Sequence, residues 1–263
     1  KLFKMAISKN IYQIPVVDNN GKVIGIHILN ELIKFKQKSN LVVIMAGGRG
    51  MRLRPLTNDI PKPMLKVGNK PILLTIIKRF QQSGYENFVI CVNYKSQIIK
   101  DYFGDGSKFG VKIEYSHEKR RMGTAGAISL LKEKPNIPFF VINGDLLINL
   151  DFEKILDFHN DNYSDATMCV QEYNIQSPYG EIKLDKENII SIEEKPKYKI
   201  LANAGLYVLN PKCIDLIPKK FFDMTSLFKK MIIQKYKIIS FPISEYWTDI
   251  GRFNDYKKAK DEY

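Results

Sequence analysis

The residues best suited to chemistry cluster in Ala46-Gly47-Gly48-Arg49-Gly50-Met51-Arg52-Leu53-Arg54, directly after an apolar run at 41–46. Three glycines in four positions let a backbone approach a ligand closely and turn its N–H groups inward, forming a nest for anions. Arg49, Arg52 and Arg54 put three of the chain's seven arginines within six residues. Lys62 follows between Pro61 and Pro63, on a backbone too stiff to retract into a helix. Clustered cations and a glycine nest suit phosphate groups, although a plain turn and a solvated loop lysine would account for the same residues. Two common phosphate loops are excluded. There is no G-x-x-x-x-G-K-[ST], and Leu53 stands where the dinucleotide fingerprint needs its third glycine. Two carboxylates are candidates for complementary work. Asp145 closes Val141-Ile142-Asn143-Gly144, and Asp249 lies in Tyr246-Trp247-Thr248-Asp249-Ile250-Gly251. Either alone reads equally well as an ordinary turn aspartate. No Ser-His-Asp or Cys-His pattern suggests a side-chain nucleophile.

These residues need elements to position them. The apolar run at 41–46 reads as a central parallel strand. Apolar residues at 72, 73, 76, 77 and 80, with Gly84 as a stop, predict a helix over 71–84. Strands are predicted near 87–92, 111–116 and 137–143, with helices near 95–103 and 124–133. That alternation predicts an α/β fold: an open, mostly parallel sheet with helices on both faces. Ligands of such sheets bind at the carboxyl ends of strands, where Asp145 stands. Beyond residue 150 the predicted order is a helix at 151–159, strands near 165–172, 179–184, 188–194 and 203–209, a helix near 223–234, a strand at 237–241 and a terminal helix from about 252.

Residues 1–38 form a separate, smaller unit, joined by polar residues 37–40 to a main domain at 41–263. Strands near 14–18 and 23–26 flank the turn Asn19-Asn20-Gly21-Lys22, and a helix is expected from about 30 to 38. This unit is too small to bury a core alone. It requires contact with the main domain, a partner or a further segment, and the opening Lys1 points to a fragment of a longer chain.

With 44% apolar and 26% charged residues, the 263-residue chain can build a packed core. No apolar run approaches the ~18–20 residues of a membrane span, and no secretory signal opens the chain. Three widely spaced cysteines, Cys91, Cys169 and Cys213, read as buried thiols in a reducing, cytoplasmic setting. The charge of +13 comes largely from lysine: 34 of the 41 basic residues. Scattered lysines argue against a nucleic-acid groove, which favours clustered arginine and interleaved aromatics. They leave two readings open, a solvated surface or a field attracting small phosphorylated anions.

The segment AGGRGMRLRPLTNDIPKPMLKVGNKPIL resembles the signature of sugar-phosphate nucleotidyltransferases, and the resemblance continues over residues 41–263. It implies a Rossmann-like fold and a reaction joining a nucleoside triphosphate to a sugar 1-phosphate with release of pyrophosphate. Like charges ~4 Å apart repel by about 4 kcal/mol at an effective dielectric of 20, so such a site must supply cations and hold the groups in line. The resemblance implies that Ala46, Gly47, Gly48 and Gly50 cradle the triphosphate, Arg52 faces its outer phosphates, and Lys62 neutralises the reacting centre. Asp145 and Asp249 would hold Mg²⁺. Met51 departs from the pattern, where a Thr is common. Gly123 and Thr124 of Met122-Gly123-Thr124-Ala125-Gly126-Ala127 would lie beside the base. The sugar phosphate would meet Gly180, Glu194, Lys195, Asn203 and Gly205. IPVVDNNGKVIGIHILNEL resembles the last portion of a CBS motif, with Ile28 and Glu31 where a Thr and an Asp commonly bind an adenine nucleotide. Through it the chain is expected to form a homo-oligomer.

Guanine offers two donors, N1–H and N2–H₂, and a carboxylate accepts both, whereas uracil or thymine suits an amide. Glu118 stands a few residues before Gly123, so GTP is expected as the nucleotide if that position is the equivalent one. GTAGA, NAGLY and WTDIG match mannose-1-phosphate guanylyltransferases most closely. A CBS unit ahead of such a core resembles glucosamine-1-phosphate guanylyltransferases that feed legionaminic acid synthesis for flagellin glycans, so glucosamine 1-phosphate is expected over mannose or heptose 1-phosphate. UTP- or dTTP-dependent transfer, and a catalytically silent relative that senses sugar nucleotides, are the alternatives. Neither nucleic acid nor membrane is expected as a partner.

Overall fold

The computed structural model describes residue 11 and residues 13–28 and 37–262. The chain opens with a hairpin of β1 (Gln13–Val17) and β2 (Val23–Ile28). Asp18 closes its turn by accepting the N–H groups of Asn20 and Lys22 at 2.9 Å. Val17, Val23, Ile24 and Ile26 are all more than half exposed, so this hairpin builds no core of its own. Most of the helix expected at 30–38 falls outside the described residues. Its last positions, Gln37 and Lys38, are not helical: Lys38 bridges to Tyr85 in parallel, and its ammonium pairs with Glu153 at 2.7 Å.

The main domain starts with β3 (Val42–Met45), whose first three residues are fully buried. There follow α1 (Ile72–Gln82), β4 (Asn87–Val92), α2 (Ser96–Phe103) and β5 (Lys112–His117). Helix α1 buries the predicted stripe at 72, 73, 76, 77 and 80 and ends before Gly84, which takes the left-handed φ of 88° that glycine adopts without strain. Next come α3 (Gly123–Gly126), β6 (Phe139–Asn143), β7 (Leu146–Ile148), α4 (Phe152–Asp161) and β8 (Ala166–Gln176). The chain finishes with β9 (Glu181–Asp185), β10 (Asn188–Glu193), β11 (Lys197–Leu209), α5 (Met224–Ile233), β12 (Ile238–Ile243), β13 (Trp247–Asp249) and α6 (Phe253–Glu262).

Seven strands form one sheet in the order β12-β8-β11-β6-β3-β4-β5. Strand β11 runs antiparallel to both neighbours, and the other four adjacent pairs are parallel. The fold is the open, mostly parallel α/β sheet that the element order predicts. Two buried clusters cover its faces. One joins α1, α4 and α6 to the sheet, with Phe80 stacked on Phe152 at 3.7 Å and Phe140 edge-on to Phe80. The other packs Met224, Leu227, Phe228 and Met231 of α5 against Tyr207, Val141 and Leu209. His159 of α4 is 1% exposed, with Nδ1 2.9 Å from the Thr167 hydroxyl of β8 and Nε2 without a partner. Burial holds its pKa down at about 4. All three cysteines are buried.

Three predicted elements differ. The helix expected at 124–133 is a four-residue turn followed by a 3-10 turn at Ala127–Leu130, and Leu131 is already extended. Pro135, soon after, disfavours helix in the residue before it. Strands β8 and β11 reach well beyond the predicted 165–172 and 203–209, because residues 171–176 pair with 197–202 as a two-stranded arm outside the sheet core. A third difference is the small antiparallel pair of β7 with β13, which no sequence pattern announced. Among the described residues, no helix is long and apolar enough to cross a membrane.

Candidate functional site

The glycine-rich loop leaves the end of β3, which lies beside the end of β6 with Met45 opposite Asn143. Gly50 takes φ 62°, and a side chain there would press on Thr57 Cγ2 at 2.9 Å and Lys62 Cβ at 3.1 Å. The Thr57 hydroxyl donates to the Gly50 carbonyl at 2.8 Å and pins the loop. In the 3-10 turn Met51–Leu53, Leu53 plugs into the core while Arg52 stays exposed on the outer side. Lys62 opens a second 3-10 turn, anchored by buried Pro63 and Met64. Its side chain is itself largely buried, and its ammonium contacts Asp145 Oδ2 and lies 3.8 Å from Asp249 Oδ1.

The two carboxylates meet through β7 and β13. Gly144 permits the approach of strand to loop, since a side chain there would lie 2.9 Å from the Met45 carbonyl. Asp249 stands opposite Leu146 in the β7–β13 register, and the Ile250 N–H donates to the Asp145 carbonyl at 3.1 Å. Burial and the negative charge of Asp145 raise the pKa of Asp249, against the opposing pull of Lys62 and Arg52. The Arg52 guanidinium also lies against Gly251, 3.6 Å from where a side chain would start. Asp145 Oδ1 is buried without a hydrogen-bond partner. Two facing carboxylates, one with an orphaned oxygen, fit a hard divalent ion such as Mg²⁺, which binds through one or two carboxylates plus substrate phosphates.

A cleft of about 160 Å³ opens beside this centre. It is lined by Met45, Gly47, Gly48, Asn143 and Asp145, and by Glu118, Arg121, Gly123, Thr124 and Asp223. Glu118 is 4% exposed, its Oε2 accepting the Met122 N–H at 2.9 Å and its backbone carbonyl accepting Asn93 Nδ2 at 2.7 Å. Burial raises its pKa, offset by the Met122 bond and the nearby Arg121 charge. Gly47 faces this carboxyl so closely that any side chain would collide with it. Thr124 donates its N–H and hydroxyl to Asp223 Oδ1 at 3.0 and 3.3 Å, and its hydroxyl accepts the Met224 N–H at 2.8 Å. Helices α3 and α5 thus cap each other, and the hydrogen-bonding groups of Thr124 are already engaged.

Of the residues expected on the sugar side, Gly205 packs against the cleft residue Asn143, and Asn203 bonds to Gly205. Gly205 has φ 72°, and a side chain would meet Asn143 Nδ2 at 2.6 Å. Asn203 accepts the Gly205 N–H at 3.0 Å and donates to the Tyr207 hydroxyl at 2.7 Å, while Trp247 Nε1 donates to the Ala204 carbonyl at 2.8 Å. Gly180 and Glu194 lie together elsewhere, with Glu194 Oε2 3.0 Å from where a Gly180 side chain would begin. Lys195 sits in a left-handed turn between β10 and β11. Among the described residues, no hydrogen bond or ion pair ties Gly180, Glu194 or Lys195 to Lys62, Asp145 or Asp249. Sequence reasoning missed Asn143, Arg121 and Asp223 as cleft residues, although Asn143 lies inside a segment it singled out and Arg121 falls between Glu118 and Gly123.

An open sheet carrying cations, paired carboxylates and a glycine loop at the carboxyl ends of β3 and β6 defines an α/β protein built to hold phosphate groups. The chain belongs to the nucleotidyl transferase family, whose pattern matches residues 41–263. It is 34% identical over 223 residues to the mannose-1-phosphate guanyltransferase of Saccharomyces cerevisiae, covering 81% of this chain and 62% of that protein. A mannose-1-phosphate guanyltransferase 2 of Candida glabrata is 35% identical over 224 residues, with the same coverage. The chain therefore spans about 62% of the length of these relatives. The structure of HddC from Yersinia pseudotuberculosis complexed with GMP-PN superposes with a TM-score of 0.63 at 29% identity, covering 85% of this chain and 99% of that one.

Proposed function

We propose that the chain transfers GMP from GTP to a sugar 1-phosphate, releasing pyrophosphate and forming a GDP-sugar. The observation that carries this reading is the convergence of Lys62, Arg52 and Asp249 around Asp145, which lines a cleft that Glu118 also lines. The resemblance to guanyltransferases and to a structure complexed with GMP-PN supports the same base.

In this reading the sugar phosphate oxygen attacks the α-phosphorus, a bond forms there, and the bond to the leaving pyrophosphate breaks. The chain supplies no covalent intermediate. Lys62, held in place by Asp145, offsets the charge that gathers as the two anions close. Arg52, exposed beside Asp249 and Gly251, would meet the outer phosphates of the leaving group. The glycine loop follows the triphosphate, and Gly47 must lack a side chain because Glu118 occupies that space. Asn203 and Gly205 flank the sugar. Asp145 and Asp249 would hold Mg²⁺, which supplies charge neutralisation at the phosphates when bound. Gly180, Glu194 and Lys195 would serve the sugar phosphate from the arm.

Glucosamine 1-phosphate is the proposed acceptor, on the strength of the CBS-like unit ahead of the catalytic domain at 41–263. Mannose 1-phosphate is the second reading, favoured by the names of the relatives. A GTP-consuming reaction and buried thiols suit the cytoplasm, and self-association through the N-terminal unit accompanies this proposal. Pyrophosphate release, measured for GTP, UTP and dTTP against glucosamine, mannose and heptose 1-phosphates with Mg²⁺ present, tests it. Turnover confined to GTP is expected. Nucleotide binding without turnover on any acceptor would favour the silent sensor instead.

A further inference from the structure

Guanine carries three groups on one edge: the O6 acceptor and the N1–H and N2–H₂ donors. Glu118 accounts for the donors and leaves O6 needing a donor of its own. The backbone lining this cleft has few to give. The Met122 N–H is taken by Glu118, the Thr124 N–H by Asp223, and the Ala125 and Gly126 N–H groups by the Phe222 carbonyl at 3.0 and 2.9 Å. Arg121 is the cation that lines the cleft beside Glu118. Its guanidinium lies over the Phe221 ring, 5.5 Å from the ring centre, a cation–π contact that restrains it. Glu118 lines the same cleft, and the Arg121 charge acts on its carboxyl.

The geometry points to Arg121 as a base-reading residue that donates to guanine O6 while Glu118 accepts from N1–H and N2–H₂. This rests on the GTP reading above and deepens it: acceptor and donor side chains that line one cleft match the donor–donor–acceptor order of a single purine edge. Adenine reverses that match, presenting an amino donor to Arg121 and an unprotonated N1 to Glu118, so the pair rejects ATP twice over. Phe221 serves as the positioning residue for the guanidinium.

The test uses the full chain, its Arg121→Met and Arg121→Gln variants, and the acceptor that the wild-type chain turns over. Values of kcat/KM are measured for GTP, for ITP, which keeps O6 and N1–H but lacks the 2-amino group, and for 6-thio-GTP, which replaces O6 with a weakly accepting sulfur. Arg121 is exposed, so an unchanged melting temperature is expected to accompany each variant. Loss of one charged hydrogen bond predicts a roughly 10- to 100-fold fall with GTP and with ITP. With 6-thio-GTP the fall shrinks to less than about 3-fold, because the wild-type chain makes little of that bond. Equal losses with all three nucleotides would overturn the inference, leaving Arg121 a general attractor of triphosphate. Unchanged rates would overturn it as well. Failure of the underlying reading is separately visible: a wild-type chain that prefers UTP or dTTP over GTP removes the guanine premise before any variant is made.

Discussion

Replacing His159 with Asn tests the packing between α4 and β8. The imidazole is buried, its pKa is held at about 4, and an unfolded chain presents histidine at about 6.5. The unfolded state therefore binds the proton first as pH falls. Stability is fully present above pH 6.5 and drains away on the descent towards 4. Linkage over that interval gives a loss of about 2 kcal/mol by pH 5 and about 3 kcal/mol by pH 4. Asn keeps a polar partner for the Thr167 hydroxyl and does not titrate. Urea unfolding of both proteins at pH 7.5, 6, 5 and 4 isolates the effect, because contributions shared by other groups cancel in the difference. The wild-type advantage over the variant is expected to shrink, or its deficit to grow, by about 3 kcal/mol across the series. Parallel curves for the two proteins would refute the reasoning and mean that His159 accepts a proton in the folded state as readily as in the unfolded one.

Asp249→Asn is expected to cut turnover by at least about 100-fold while leaving the melting temperature within a few degrees, since it removes a carboxylate charge without changing volume; near-normal pyrophosphate release from a folded variant would contradict the role. Glu118→Gln is expected to reduce the preference for GTP over UTP or dTTP by at least about 10-fold in competition assays, because it replaces one of two accepting oxygens with an NH2 donor that opposes guanine's own donors. Gly123→Ala combines a left-handed φ of 80° with a side chain 2.6 Å from the Phe222 carbonyl, so it is expected to cost at least about 2 kcal/mol in urea unfolding and to raise KM for nucleotide.

The parallel half of the sheet was readable from sequence because β3 and β6 are buried on both faces and spell continuous apolar runs. Helix α1 was readable from its spacing. The arm formed by residues 171–176 and 197–202 was not, since its pairs are largely exposed and carry no burial alternation. Strands β7 and β13 escaped for another reason: each has three residues, too few for any period, and only their pairing makes them strands. The candidate site divides in the same way. The glycine loop, Lys62, Asp145 and Asp249 stand in ordered motifs, and the first three come from a short stretch of the fold around β3 and β6. Asp223 entered the cleft through its bond to Thr124, a contact between residues nearly a hundred positions apart, and residue type alone gave no hint of it. Lys195 stands in an ordered motif as well, in the left-handed turn between β10 and β11.

The pairing of Trp247–Asp249 with Leu146–Ile148 has a consequence for how the protein comes to life on the ribosome. A nascent chain that has exposed the first two-thirds of its length already carries the glycine loop, Lys62, Asp145 and Glu118, but not β11, the strand that sits beside β6 in the sheet. It lacks the second carboxylate until the final strand emerges and docks beside β7. The carboxylate pair proposed to hold a metal is therefore completed last, after every strand of the seven-stranded sheet has been made.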